Sequence, residues 1–134
     1  MLGYYAQYSK EYITTLMILT TLFFALPLFI APLAWARLMR WTIPEHDHLA
    51  IYFGRCLGAF ILVIEAASLR SATTGTSFSY PFDLLFLVFG SMFFVHVYGA
   101  IKRIQPITET LEIGFWVILL ILNTLFYPAT SITL

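Results

Sequence analysis

The chain has little of what a water-soluble domain carries on its surface. Only 10% of its 134 residues are charged, against roughly a quarter in soluble domains. Seven Lys and Arg balance seven Asp and Glu to a formal net charge of zero, which leaves no basic field for a phosphate backbone, so nucleic acid is not an expected partner. The single cysteine, Cys56, excludes an internal disulfide and a dithiol redox pair, and reads as a small buried hydrophobe. No basic region precedes the first apolar run, because Lys10 is followed at once by Glu11. That run is also too long for the apolar part of a cleaved signal, so it reads as a true first span. Internal repeats, linkers and a second domain are missing, and no Ser or Cys nucleophile with a positioned base is visible.

What is present is apolar. Hydrophobic residues make up 60% of the chain and the mean hydropathy is +0.87, more than a soluble core of this length can hide. Thirteen Phe, eight Tyr and three Trp suit a solvent of lipid, where amphipathic rings collect at the headgroups. The pattern predicts an all-α, single-domain integral membrane bundle of four helices spanning about residues 13–36, 49–69, 80–101 and 107–127, each long enough at about 1.5 Å per residue to cross most or all of a hydrocarbon core of about 30 Å. Pro27 and Pro32 predict a kink or loosened turn in the half of the first span nearer Arg37. Tyr4, Tyr5, Tyr8 and Tyr12 before that span, and Trp35 and Trp41 after it, read as anchors at opposite surfaces. Pro44 is placed to open the second helix, with Glu45 and Asp47 in its first turn, and residues 71–79 read as a loop. Arg37, Arg40, Lys102 and Arg103 lie on one surface and only Lys10 and Arg70 on the other. This majority puts the short basic loops in the cytoplasm and both termini outside, in a prokaryotic plasma membrane.

Charges inside such spans need partners. Arg55, His96 and Glu112 fall at comparable depth in the cytoplasmic leaflet, which predicts an Arg55–Glu112 pair joined by His96, with Glu109 as the alternative partner. Glu65 and Asp83 form a second group in the outer leaflet, with Asn123 and either Thr20 or Thr21 at similar depth. Carboxylates without a basic neighbour there point to a protonated acid, a bound cation or a proton path, although Asp83 is close enough to its helix start to sit among headgroups. At about 100° per residue, Gly54, Gly58 and Glu65 share one face of helix two, and Glu109, Glu112, Trp116, Asn123 and Tyr127 share one stripe of helix four. Gly54 and Gly58 form a GxxxG that admits another backbone closely, either within the bundle or at a dimer seam.

Metal and cofactor signals are weak. Glu45, His46, Asp47 and His48 offer four potential ligands, but consecutive positions do not converge easily on one ion, so no metal is expected and His46 and His48 are the residual candidates. Bis-histidine haem between helices needs two axial His, and His96 alone is intramembrane. It reads as a hydrogen-bonded structural residue.

The plan of helix one ending in a Pro-containing segment, followed by Gly54, Arg55, Cys56, Leu57, Gly58 and the aliphatic run to Leu62, resembles the DoxX-like group of small bacterial four-helix membrane proteins. That resemblance implies an accessory subunit of a membrane oxidoreductase complex and supplies no catalytic residues. The leading expectation is therefore a non-catalytic subunit packed against larger membrane partners or its own copies, stabilising them or shaping a lipid or quinone site, with no resident cofactor. The alternatives are a small transporter or proton conductor using Glu65, Asp83 and His96, and an enzyme on a lipid-soluble substrate with Glu112 and His96 as acid and base.

Overall fold

A computed structural model describes residues 2–128, and among these every regular element is a helix. Four helical stretches, Ala6–Ile30, His48–Thr74, Tyr80–Lys102 and Ile107–Leu125, are long and apolar enough to cross a membrane.

The first of them is not one regular helix. After a turn at Ala6–Tyr8, α1 (Ser9–Thr20) runs into a π-helical segment, Thr21–Ala25, then α2 (Leu26–Ile30), a break at Ala31 with φ −135° and ψ 62°, and α3 (Pro32–Leu38). The loosening follows from the two prolines. Neither has an N–H to give; Leu26 before Pro27 stays helical at φ −64° and ψ −48°, whereas Ala31 before Pro32 is pushed out of the helical region.

The second helix, α4 (His48–Thr74), differs at both ends from the sequence reading. It starts at His48 with Asp47 at the N-cap position, not at Pro44. The stretch between Trp41 and Asp47 contains no helix. At the other end five more residues, 70–74, join the helix, because the residue able to stop it is Gly75, held at φ +71° as the left-handed C-cap. Small polar residues ahead of it carry the last turn, with the hydroxyls of Thr73 and Thr74 donating back to Arg70 O. The helices α5 (Tyr80–Lys102) and α6 (Ile107–Leu125) are joined by a short turn in which Arg103 takes φ +55°.

The helices pair as two hairpins. The first span packs along α4, and α5 packs closely along α6, while α4 and α5 meet only sparingly. In the first hairpin the GxxxG is the contact: a Cβ on Gly58 would come within 2.6 Å of Phe29 N, and one on Gly54 within 2.5 Å of Pro32 Cβ. The glycines therefore serve packing inside the bundle.

Hydrogen bonds fasten the hairpins to each other at both ends. At the end carrying the chain termini, Gly3 N and Tyr5 N donate to Thr124 O and Leu125 O at 2.9 and 2.8 Å, and Ser9 Oγ, whose residue is 2% exposed, lies 2.6 Å from Phe126 O. At the basic-loop end, Trp41 Nε1 donates to Glu109 and Thr108 Oγ1 donates to Met39 O. Between them lies a core of Ile13, Met17, Phe82, Leu85, Phe89, Trp116 and Leu119. Many large apolar residues point outward, including Phe23, Phe60, Leu87, Phe94 and Leu111, each about 70% exposed. In water this would be untenable; against lipid it is what the composition requires.

Candidate functional site

Arg55 aside, the polar residues expected to find partners within the spans separate into three places. The first is a cluster of His96, Glu109 and Glu112 at the basic-loop end, built where α5 and α6 run side by side. Helical spacing puts Glu109 and Glu112 one turn apart on α6, facing His96 on α5. His96 Nε2 lies 3.1 Å from Glu109 Oε2 and 3.4 Å from Glu112 Oε2, and the imidazole is 3% exposed. The other ring nitrogen, Nδ1, is 2.7 Å from Met92 O. A carbonyl can only accept, so Nδ1 carries the proton of that bond. Glu109 is held from behind by Trp41 Nε1, which donates to its Oε1 at 2.8 Å, and Gln105 Nε2 donates to His96 O at 3.0 Å. Among the described residues, no Lys or Arg is within ion-pair distance of either carboxylate.

Arg55 is not part of this cluster. The buried face of α4 is the stripe Gly58, Glu65, Ser68 and Ala72, and Arg55 stands about 100° from its centre. It is exposed and forms no ion pair among the described residues. The expected Arg55–Glu112 pair fails for a topological reason: the close neighbour of α6 is α5, which presents His96, whereas α4 packs on the first span. With its guanidinium about two turns from the start of α4, Arg55 can snorkel along the helix surface to the headgroups.

The second place is Glu65, midway along α4 and 3% exposed. Thr21 Oγ1, at the first residue of the π-helical segment, is 2.5 Å from Glu65 Oε2. The other oxygen, Oε1, is buried and has no hydrogen-bond partner among the described residues, and the same is true of Trp116 Nε1. Both residues line a cavity of about 280 Å³ between the two hairpins, whose other walls are apolar and include Phe24, Phe60, Phe89 and Met92. Two of its lining residues, Leu57 and Phe60, are 51% and 69% exposed. Neither His96 nor Glu112 lines it, so the residues considered for acid and base are not in the space that a substrate of this cavity would occupy.

The third place is the end of the second hairpin. Asn123 is fully buried and its Nδ2 donates to Phe82 O at 2.9 Å. Tyr127 OH donates to Asp83 Oδ1 at 2.8 Å, with Asp83 exposed in the first turn of α5. The outer group expected of Glu65, Asp83 and Asn123 is thus divided: Asp83 and Asn123 each have a partner across the α5–α6 hairpin, and Glu65 has Thr21. Among the described residues no hydrogen-bonded chain joins Glu65, Asp83 and His96, the three invoked for proton conduction.

Two participants were not readable from sequence. Trp41 sits in an irregular loop, where no periodicity reports direction, and it reads as an interface anchor until the fold returns it to Glu109. Trp116 was placed on the inward stripe of helix four, but the cavity it faces depends on how far apart the hairpins stand. His46 and His48 are exposed and join no group of potential metal ligands among the described residues. Among the described residues the one such group is His96, Glu109 and Glu112, whose ligand atoms lie within 4.8 Å of one another.

No family model, curated protein or solved structure matches the chain. The resemblance to the DoxX-like group rests on the plan and the residues of helix two alone.

Proposed function

We propose that the chain is a small non-catalytic subunit of a membrane assembly, and that its inter-hairpin cavity holds a lipid-soluble molecule by a polar head. The observation that carries this reading is Glu65 Oε1, a buried carboxylate oxygen without a partner beside an otherwise apolar cavity. A buried acceptor left unsatisfied costs about 1–3 kcal/mol, more if charged. Oε1 lies behind the apolar lining of the cavity, and a ligand whose head moves in to donate a hydrogen bond to it would remove that cost. A head that also accepts would meet Trp116 Nε1, the other orphan at the same cavity. A quinone–quinol pair offers both kinds of group, and so does a hydroxyl-headed lipid. The volume of about 280 Å³ is at the small end for ligand pockets, so it suits a head and the first part of a tail, with the rest lying in the bilayer beyond Leu57 and Phe60.

The assembly reading is supported by small size, short loops and the long apolar outer surfaces. By the excess of basic residues in the loops around Arg40 and Arg103, those loops face the cytoplasm and the termini face outward. On the DoxX-like resemblance the partner is an oxidoreductase complex of a bacterial plasma membrane.

The test of the cavity is titration of a short-chain quinone, kept reduced as the quinol so that a hydroxyl can donate to Glu65, into the chain held in lipid nanodiscs, read by tryptophan fluorescence. Saturable quenching by one equivalent is expected, weakened at least tenfold in Glu65→Leu. Linear, partition-like quenching that is identical in the two proteins would overturn quinone binding. A lone monomer in every mild detergent, seen by mass analysis, would count against the subunit reading.

A further inference from the structure

We propose that His96, Glu109 and Glu112 form a binding site for one divalent transition-metal ion at the basic-loop end of the α5–α6 hairpin. This site is separate from the cavity at Glu65 and does not depend on what fills it.

The proposal starts from an account of lone pairs. The Nδ1 proton of His96 is committed to Met92 O at 2.7 Å, so the neutral ring turns a bare Nε2 lone pair toward the two carboxylates. Glu109 Oε2 and Glu112 Oε2 arrive there at 3.1 and 3.4 Å. Three acceptors converge, and no Lys or Arg among the described residues stands near enough to neutralise them. The site therefore calls for a positive centre. A proton on Nε2 can point at one oxygen only, and 3.4 Å is long for an N–H···O bond. A tetrahedral ion with bonds of about 2.0–2.1 Å holds its ligands roughly 3.3–3.4 Å apart, which the two separations from His96 approach, and the carboxylate oxygens, within 4.8 Å of each other, would close on the ion.

The surroundings are arranged as metal sites are. A ligating histidine usually donates its second nitrogen to a carbonyl or carboxylate, which fixes the tautomer that leaves Nε2 free, and Met92 O takes that part here. A ligating carboxylate usually has its outer oxygen held, and Trp41 Nε1 does so for Glu109 Oε1 at 2.8 Å. The donor set of one imidazole and two carboxylates, without thiolate, favours Zn²⁺, Mn²⁺, Fe²⁺ or Co²⁺ over soft Cu⁺. Three protein ligands leave a fourth position for water or for the second oxygen of a carboxylate. Because Trp41 comes from the loop after α3, the ion would also bear on the fastening between the two hairpins.

The test is Co²⁺ and Zn²⁺ titration of the purified, metal-stripped chain in mild detergent near neutral pH. Bound metal is counted after desalting, and Co²⁺ is followed by its ligand-field absorption and by quenching of tryptophan fluorescence, since the Trp116 ring lies 5.7 Å from that of His96. One ion per chain is expected, with absorption typical of four-coordinate Co²⁺. His96→Gln and Glu112→Gln should each weaken binding at least a hundredfold, and Trp41→Phe about tenfold to a hundredfold. A paired His46→Ala, His48→Ala variant should bind as the unaltered chain does. Should His96→Gln fail to fold, Glu112→Gln decides, because the Glu112 side chain is 17% exposed and has no polar partner but His96 among the described residues. No bound ion in the unaltered chain, the result of a cluster that holds protons alone, would overturn the proposal. So would binding that disappears with His46 and His48 while surviving Glu112→Gln.

Discussion

Arg55 and Glu65 lie ten residues apart on one helix and show how far a sequence can carry an intramembrane charge. Both were recognisable from the sequence as charges needing an answer, and neither answer was recoverable from depth alone. Depth put Arg55 level with Glu112, but a pair needs adjacency, and adjacency is fixed by which helices share a hairpin. Exposed and off the packing stripe, Arg55 should matter little to the fold: Arg55→Leu is expected to change the unfolding free energy in detergent by less than about 0.5 kcal/mol, measured by reversible denaturant titration. A loss of several kcal/mol would reveal an internal partner. Among the described residues Glu65 makes no ion pair and meets Thr21, one of the two threonines that its depth suggests. Helical phase could not choose between them, because the π-helical segment that begins at Thr21 resets the phase. Thr20 instead donates back to Leu16 O.

At the scale of elements, the glycines divide by what lies opposite them. Gly58 is set against the backbone of Phe29, where an added Cβ would come within 2.6 Å, while nothing lies within 4 Å of the place a Cβ would take on Gly114. Gly58→Ala should therefore cost about 1–3 kcal/mol by forcing α4 from the first span, and Gly114→Ala should be neutral or stabilising by up to about 1 kcal/mol through helix propensity. The check is thermal unfolding of both variants in one detergent; equal effects would show that the first hairpin does not depend on this contact. The element boundaries follow the same logic of local against distant information. Pro32, Gly75 and Pro106 mark ends that are chemically enforced, and the sequence located the loosened half of the first span and the turn before α6. The start of α4 has no such marker: Pro44 was suitable as a first residue, but the chain between Trp41 and Asp47 is drawn instead into the loop that delivers Trp41 to Glu109.

For the whole molecule, the low charge and four long apolar runs were enough to read four helices of membrane-crossing length. What composition and periodicity could not supply is the grouping into two hairpins fastened at both ends with a gap between their middles. That grouping unites His96 with both glutamates, isolates Glu65 beside an apolar cavity and leaves Arg55 outside. It also places the cavity and the His96 cluster apart, so that loss of one need not abolish the other. The most direct measurement of the central claim is native mass spectrometry of the chain released gently from its own membranes, compared with Glu65→Gln prepared identically. The account predicts one lipid-soluble molecule of constant mass retained per unaltered chain and largely lost from the variant, while both proteins unfold at similar temperatures. A bare chain in both preparations, or the same adduct retained equally by both, would contradict it.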